Sequence, residues 1–465
     1  MAPVTDRLEE VLEREAPAWG IRPIPSSLRR LSGVDLAVLW GDLSIGLLVL
    51  VSGALLVPAL GLPDAILAIV VGSLIGAVPL ALVGLAGARE GVPGMVLFRP
   101  MLGRRGSYLP SAFNLIQLVG WTAFEFWAMG RVTNAVARDA TGLDAPLLWL
   151  ALVAMVCTGL ALGGPILVVR RSLERFGIWV IAGVAIWITV RLLAVADLGA
   201  LWRRPGAGGL PFWAAVDLVI AMPVSWLPLV ADFDRFARNE RDAVRGTFWS
   251  YAAGNAWFYA LGAVLVLAAG AAPDVLDIGT TIAATVGGGV VLLALLVGES
   301  DQAMANIYSS ALSLQNVAPG LPQRPLILGL GAIGFVLAAG LSDAATTFEV
   351  FLFLIGSVFV PLFGVFAADY FVLARARYGE ASMFERADAG IRVRALGPWI
   401  AGFVVYQWCV PTGPAWWVSG AERVVSGWFH LPFPLLAGSQ LGASIPSFMV
   451  AFALALAVLR RRPAG

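Results

Sequence analysis

Lysine is absent from this 465-residue chain, histidine occurs once and cysteine twice, and charged residues make up only 13% of the sequence. Each shortage removes a class of function. The lone His430, in a short segment between apolar runs, rules out a histidine-built metal centre and a Ser-His-Asp triad. Cys157 and Cys409 lie inside separate apolar runs and read as packing residues rather than as a disulfide or a metal site. A net charge of +1 offers no field for nucleic acid. The chain has no P-loop, no HExxH motif and no GxSxG elbow, so neither ATP-driven work nor hydrolysis is expected, and no cofactor is implied.

What fills the chain instead is apolar. Hydrophobic residues reach 59% and mean hydropathy is +0.85, too little polar surface to clothe a soluble core of this length. Segments of about 20 apolar residues recur between Leu36 and Leu459, each able to cross about 30 Å of hydrocarbon. The expected fold is all-α and integral to a membrane, with about twelve spans. They fall at 36–57, 65–87, 108–134, 146–169, 176–195, 211–231, 247–270, 283–315, 325–342, 347–373, 396–418 and 439–459. A polar leader holding Asp6, Arg7, Glu9, Glu10, Glu13, Arg14 and Glu15 keeps the first span too far from the start for a cleavable signal, so residues 1–33 read as a cytoplasmic tail.

Arginine alone sets the orientation. The leader, the loop with Arg89, Arg99, Arg104 and Arg105, and the stretches at 170–175, 235–245, 324, 375–394 and 460–462 place 25 of the 31 arginines on one side. Arg131, Arg138, Arg191, Arg203, Arg204 and Arg423 fall on the other. That bias puts both termini in the cytoplasm, with 460–465 as a second tail, and fits a plasma (inner) membrane.

Two spans are interrupted. Span 1 reads Trp40-Gly41-Asp42-Leu43-Ser44-Ile45-Gly46, and span 6 reads Met222-Pro223-Val224-Ser225-Trp226-Leu227-Pro228. The paired prolines remove donors and should open the helix and free carbonyls. Glycine and proline also serve packing and kinks in membrane helices. Two breaks in matching positions, each beside polar side chains, fit two five-helix repeats of opposite topology, 34–195 and 211–373, with a solute site near the midplane.

Polar residues inside spans are costly and mark function. In span 3, Gln117, Trp121 and Glu125 stand at i, i+4 and i+8 and share one helical face. An amide, an indole and a carboxylate on one stripe can hold a flat heterocycle, the indole stacking and the polar groups bonding to the ring edge. The alternative is a buried interhelical hydrogen-bond cluster. Span 8 turns polar at Gly298-Glu299-Ser300-Asp301-Gln302 and again at Asn306, and continued helical character to Gln315 places these acids inside the span. Asp232 and Asp234 beside Arg235 read as a salt-bridged cap at the inner end of span 6, Asp369 beside Tyr370 as a similar cap, and Asp274 and Asp277 as outer-loop residues.

Four strings then stand in a telling order: Trp40 to Ser44 with Gly53 and Pro58 to Leu62, Gly120-Trp121, Ser225-Trp226 through Asp232-Phe233-Asp234-Arg235, and Asn306-Ile307-Tyr308-Ser309. With them the chain resembles the first class of nucleobase–cation symporters, the purine–cytosine permease family, from about Leu36 to past Asp369. The resemblance implies a leucine-transporter-type 5+5 inverted repeat with two C-terminal helices (396–459) appended. It also implies alternating access, coupling to Na+ or H+, and substrates such as cytosine, purines, hydantoins or hydroxymethylpyrimidine. It implies that Trp121 stacks on the ring, that Glu125 bonds to it, and that Ser225 and Trp226 line the same pocket. For the cation it implies carbonyls from Gly41 to Ile45, including Ser44. Counting back from Tyr308, the family's paired hydroxyls fall on Asp301 and Gln302, beside Gly298, and its substrate-binding amide falls on Ala303. Asp301 is the expected coupling carboxylate, either binding sodium directly or cycling a proton.

The competing readings are a same-fold permease for an amine or amino acid, and a non-transporting membrane receptor. An enzyme would need a nucleophile or metal constellation that the spans do not offer. The partners expected are a heterocyclic small molecule, a coupling cation and the lipid bilayer, with the chain acting as a monomer.

Overall fold

A computed structural model describes residues 20–163, 178–270, 275–282, 289–341, 344–384, 390–435 and 442–459. The expectations placed on residues 1–19, Arg170, Arg171, Arg175, Asp274, Arg386 and the tail 460–465 lie outside these, as does the side chain of Asp277. Among the described residues all regular structure is helical, apart from one isolated bridge joining Leu31 to Ala237.

The first span is two helices, α1 (Gly33–Asp42) and α2 (Leu47–Ala54), bent by 60° at the break between them. Next come α3 (Leu62–Glu90), α4 (Tyr108–Thr141), α5 (Pro146–Gly163) and α6 (Ile178–Val195). The sixth span is divided again, into α7 (Phe212–Trp226) and the short α8 (Val230–Asp234). The chain continues through α9 (Glu240–Ala269), α10 (Gly289–Val317), α11 (Gln323–Gly340) and α12 (Ala344–Ala367, extended by a π-helical turn to Leu373). Last are α13 (Val393–Cys409) and α14 (Ser444–Val458). Helices α3, α5, α9, α11 and α12 are long and apolar enough to cross a membrane, and the bent α1–α2 pair supplies one further span. At about 1.5 Å per residue, α4 with 34 residues and α10 with 29 also have the length, but they carry polar side chains.

Small residues let the helices approach closely where the broken spans are held. Helix α9 packs against α1, α2 and α3, and a Cβ added at Gly53 of α2 would stand 2.0 Å from the carbonyl oxygen of Tyr259 on α9. Helix α7 lies on α3 and α12, α10 lies on α4 and α5, and α12, α13 and α14 pack on one another. A buried acid ties that cluster to α7: the Asp217 carboxylate accepts from the backbone amides of Ala443 and, at 3.0 Å, of Ser444. These amides open α14 and have no partner within their own helix, so an acid there also meets the favourable end of the helix dipole.

Three local expectations change. Pro223 sits inside the continuous α7, and the helix gives way one turn later, at Leu227 to Leu229 around Pro228. One proline costs a helix a single donor, which a packed helix tolerates. The cap at 232–235 is built from hydrogen bonds, not from a salt bridge. Asp232 accepts from the Gly94 amide at 2.9 Å, Asp234 accepts from the Trp40 indole and the Thr247 hydroxyl, each at 2.8 Å, and Arg235 donates to the Gly20 carbonyl at 2.7 Å. Asp369 takes the Tyr378 hydroxyl. The eleventh span stops at Cys409, because Pro411 and Pro414 cannot continue its ladder, and a separate helix, Ala415–Glu422, follows.

Removing the Asp217 cap has a measurable cost. Asp217→Ala should destabilise the protein by about 1–2 kcal/mol, read as a lower melting temperature in detergent, while Asp217→Asn retains an acceptor and most of that stability. Equal melting of Asp217→Ala and the parent would show that the cap carries no load.

Candidate functional site

The break in the first span begins as a local contest for hydrogen bonds. Helix α1 starts cleanly, with a reciprocal capping box between Ser32 and Asp35. It ends at Asp42, where the Ser44 hydroxyl donates to the Gly41 carbonyl at 2.7 Å and the backbone swings into an extended Gly46. In hydrocarbon the freed groups need partners, and α10 provides them. The Glu299 carboxylate accepts from the amides of Leu47 and Leu48, the second at 3.2 Å, and the Gln302 side-chain amide donates to the Ile45 carbonyl at 3.0 Å. A Cβ at Gly46 would lie 2.5 Å from both Gln302 Nε2 and Glu299 Oε1, so a larger residue here would displace both side chains from their backbone partners.

Most of the residues expected to serve the cation therefore meet around one break. Ile45 and Gln302 touch, Gly298 faces the Ile45 carbonyl and Asp42, and Asp301 is buried beside them. The carbonyl of Gly41 is engaged by Ser44. Sequence reasoning missed two members. Asp42 is fully buried, and among the described residues neither of its oxygens has a hydrogen-bond partner; the acids whose charge it feels are Asp301 and Glu299. Glu299 was visible only as one polar residue of span 8, yet it caps α2 and leaves its second oxygen unpartnered. The signal for Asp42 was in plain view, an acid midway along an otherwise apolar span. Among the described residues no three carboxylate, histidine or cysteine side chains converge as a ligand set.

The stripe on α4 holds as one face, with divided duties. Gln117 donates to Asn114 at 2.8 Å and to the Ser225 carbonyl at 2.9 Å, joining α4 to the end of α7. The Ser225 hydroxyl turns inward to the Met222 carbonyl at 2.6 Å, so its backbone rather than its side chain addresses α4. Trp121, one turn beyond Gln117, is 6% exposed and its indole N–H has no hydrogen-bond partner among the described residues; Phe348 and Phe351 meet its ring edge-on at 5.6 and 5.3 Å. Trp226, next to Ser225, is 5% exposed and packs edge-on against Trp40 at 6.1 Å. Glu125 accepts both its hydrogen bonds from the Asn306 amide of α10, at 3.0 and 3.1 Å. Asn306 is thus a further site residue that the sequence displayed without a role.

Electrostatics join the two regions. Glu125 feels the charge of Glu299, and Asp42 feels Glu299 and Asp301. Among the described residues no arginine contributes to the field at any of these four buried carboxylates. Groups of one sign taken out of water without a counter-charge must be neutralised by protons or by a bound cation.

The capping role of Glu299 is separable from its charge. Glu299→Gln keeps an acceptor for the α2 amides and Glu299→Ala removes it, so the alanine variant should be less stable than the glutamine variant by roughly 1–3 kcal/mol. Indistinguishable melting of the two would refute the cap.

The chain was then compared with known proteins. Residues 23–428 match a family described as permeases for cytosine/purines, uracil, thiamine and allantoin. The cytosine permease of Escherichia coli (strain K12) is 29% identical over 364 residues, covering 77% of this chain and 81% of that protein. The allantoin permease of Bacillus subtilis (strain 168) is 26% identical over 353 residues, covering 68% and 71%. Among solved structures, a nucleobase-cation-symport-1 family transporter in a closed conformation with bromovinylhydantoin bound superposes with a TM-score of 0.76 over 94% of each chain, at 18% identity.

Proposed function

The chain belongs to the family of permeases for cytosine/purines, uracil, thiamine and allantoin, and from that premise we propose that it imports a nucleobase or a related flat nitrogen heterocycle by cation-coupled alternating access. The observation that carries the coupling is the run of buried carboxylates, Glu125, Glu299, Asp42 and Asp301, with no arginine among them. A permease that moved its solute without a cation would have no use for so costly an arrangement. The arginine-rich face is the cytoplasmic one, both termini lie there, and the protein works as a monomer in the plasma membrane. Residues 34–195 and 211–373 are the two inverted repeats, and 396–459 is an appended pair of spans.

In this reading the substrate ring lies where α4 meets α7, stacked on Trp121 and enclosed by Trp226. Glu125, oriented by Asn306, accepts from ring N–H or amino groups. Gln117 fixes the spacing between the two helices through the Ser225 carbonyl. The coupling cation, Na+ or H+, is transported cargo held at the break of the first span by Asp301 and Asp42, the Ile45 carbonyl, and Gln302, which also braces that carbonyl. Gly41, Ser44 and Gly298 keep the backbone close enough for this. Binding at the break would be felt along α10, which carries both Asp301 and Asn306, and so at Glu125. The two sites therefore share one helix, the physical means by which one ligand alters affinity for the other.

Thermal-shift measurements on the purified protein, with and without sodium, should show stabilisation by one or more of cytosine, uracil, adenine, hypoxanthine, hydroxymethylpyrimidine and a hydantoin. A ligand at about 100 times its dissociation constant adds about 2.7 kcal/mol, and Glu125→Ala should weaken its binding by about 10- to 100-fold. A shift with leucine and with none of the rings would overturn the choice of cargo. In whole-cell or liposome uptake, Asp301→Asn should abolish accumulation against a gradient while leaving substrate binding measurable; full cation-driven accumulation by that variant would remove Asp301 from the coupling site.

A further inference from the structure

Away from the transport site, a cavity of about 530 Å³ opens on the arginine-rich face between the ends of α10 and α11 and the loop joining α3 to α4. Its wall includes Arg22, Arg99, Arg104, Gln315, Gln323 and Phe384 and, among the described residues, no carboxylate. Arg99 is only 5% exposed, yet its partners are all neutral: the Asn316 side chain at 2.7 Å, the Asn316 carbonyl at 3.2 Å and the Met383 carbonyl at 3.4 Å, with the Phe384 ring beneath it at 5.5 Å. A buried guanidinium ordinarily has an anion beside it. Among the described residues Arg104 leaves its Nε without a partner, and Gln323, 6% exposed, has its amide beside the Tyr308 hydroxyl. The second cationic hollow on this face is built differently: Arg89 pairs there with Glu240, and Asp242 stands nearby.

We propose that this cavity is a binding site for a phosphate group, gripped by the guanidinium groups of Arg22, Arg99 and Arg104 with the Gln323 amide as a further donor. Three guanidinium forks and an amide match the several acceptor oxygens of a tetrahedral phosphate, and the forks bind it bidentately. The cavity has room for an ester carried on that phosphate as well. Burial, followed by the neighbouring Arg104 guanidinium, pushes the Arg99 group down to about 10, so an anion arriving here relieves a cost already present in the fold. Because Arg99 and Arg104 belong to the loop after α3, whereas Gln315 ends α10 and Gln323 begins α11, the bound phosphate staples together segments from distant parts of the chain.

The test uses the purified full-length chain in detergent, titrated with inorganic phosphate against chloride at matched ionic strength so that screening is held constant. A saturable rise in melting temperature of about 3 °C at about 100 times Kd is expected. It should vanish in an Arg22→Gln, Arg104→Gln double variant and persist in Arg105→Gln, an exposed arginine outside the cavity. The double variant retains Arg99 and its bonds to Asn316, so folding is not at stake. A parallel titration compares short-chain phosphatidylglycerol with short-chain phosphatidylcholine. A response to the first alone, with the same dependence on Arg22 and Arg104, supports the site and identifies a lipid headgroup as the source; a response to inorganic phosphate identifies a free phosphate. No response in either arm, or one that survives the double variant, overturns the proposal.

Discussion

In the hydrocarbon of a bilayer, backbone amides and carbonyls that leave a helix have nowhere to go except to other protein groups. The interruption of the first span frees such groups between Asp42 and Leu47, and the molecule resolves them through α10, with Glu299 under the amides of α2 and Gln302 on the Ile45 carbonyl. Much else follows from that interaction. A Cβ at Gly46 would push both partners off these groups. Helix α10 is accordingly polar along one side. Its acids then stand next to Asp42, whose carboxylate ends α1 with no hydrogen-bond partner among the described residues.

In the proposed reading, the same arrangement links recognition of a solute to that of a cation without large elements being rebuilt. Glu125 on α4 is held by Asn306 on α10, and Asp301 lies a little over one turn earlier on the same helix. A small tilt of α10 relative to α4 changes the Glu125–Asn306 geometry and the environment of Asp301 together. Interhelical hydrogen bonds of this kind carry modest energies in membranes, so they suit a protein that must exchange conformations readily.

Much of this could be read from the residues alone. The i, i+4, i+8 stripe of Gln117, Trp121 and Glu125 predicted a single face because helical periodicity is rigid, and the break at Gly41 to Gly46 was legible because glycine and a local serine disfavour a helix in any context. What could not be read depended on neighbours. Which of Pro223 and Pro228 would open α7 is decided by the packing around each, not by the proline itself. Whether Gln117 faces a ligand or another helix depends on the position of the Ser225 carbonyl, 108 residues away in sequence. Asp42 and Glu299 were present as letters, but a missing hydrogen bond or a cap on another span exists only in three dimensions. The same is true of Asp217, an acid in an apolar run whose purpose becomes clear only when α14 is seen resting on it.

That last contact gives the final helix a mechanical meaning. Asp217 lies in the helix that leads into the second break, and it grips the first turn of α14 as a fixed strut. In the proposed reading, a movement of α7 would have to carry the first turn of α14 with it or break these two bonds, so the end of the chain is tied mechanically to the second break.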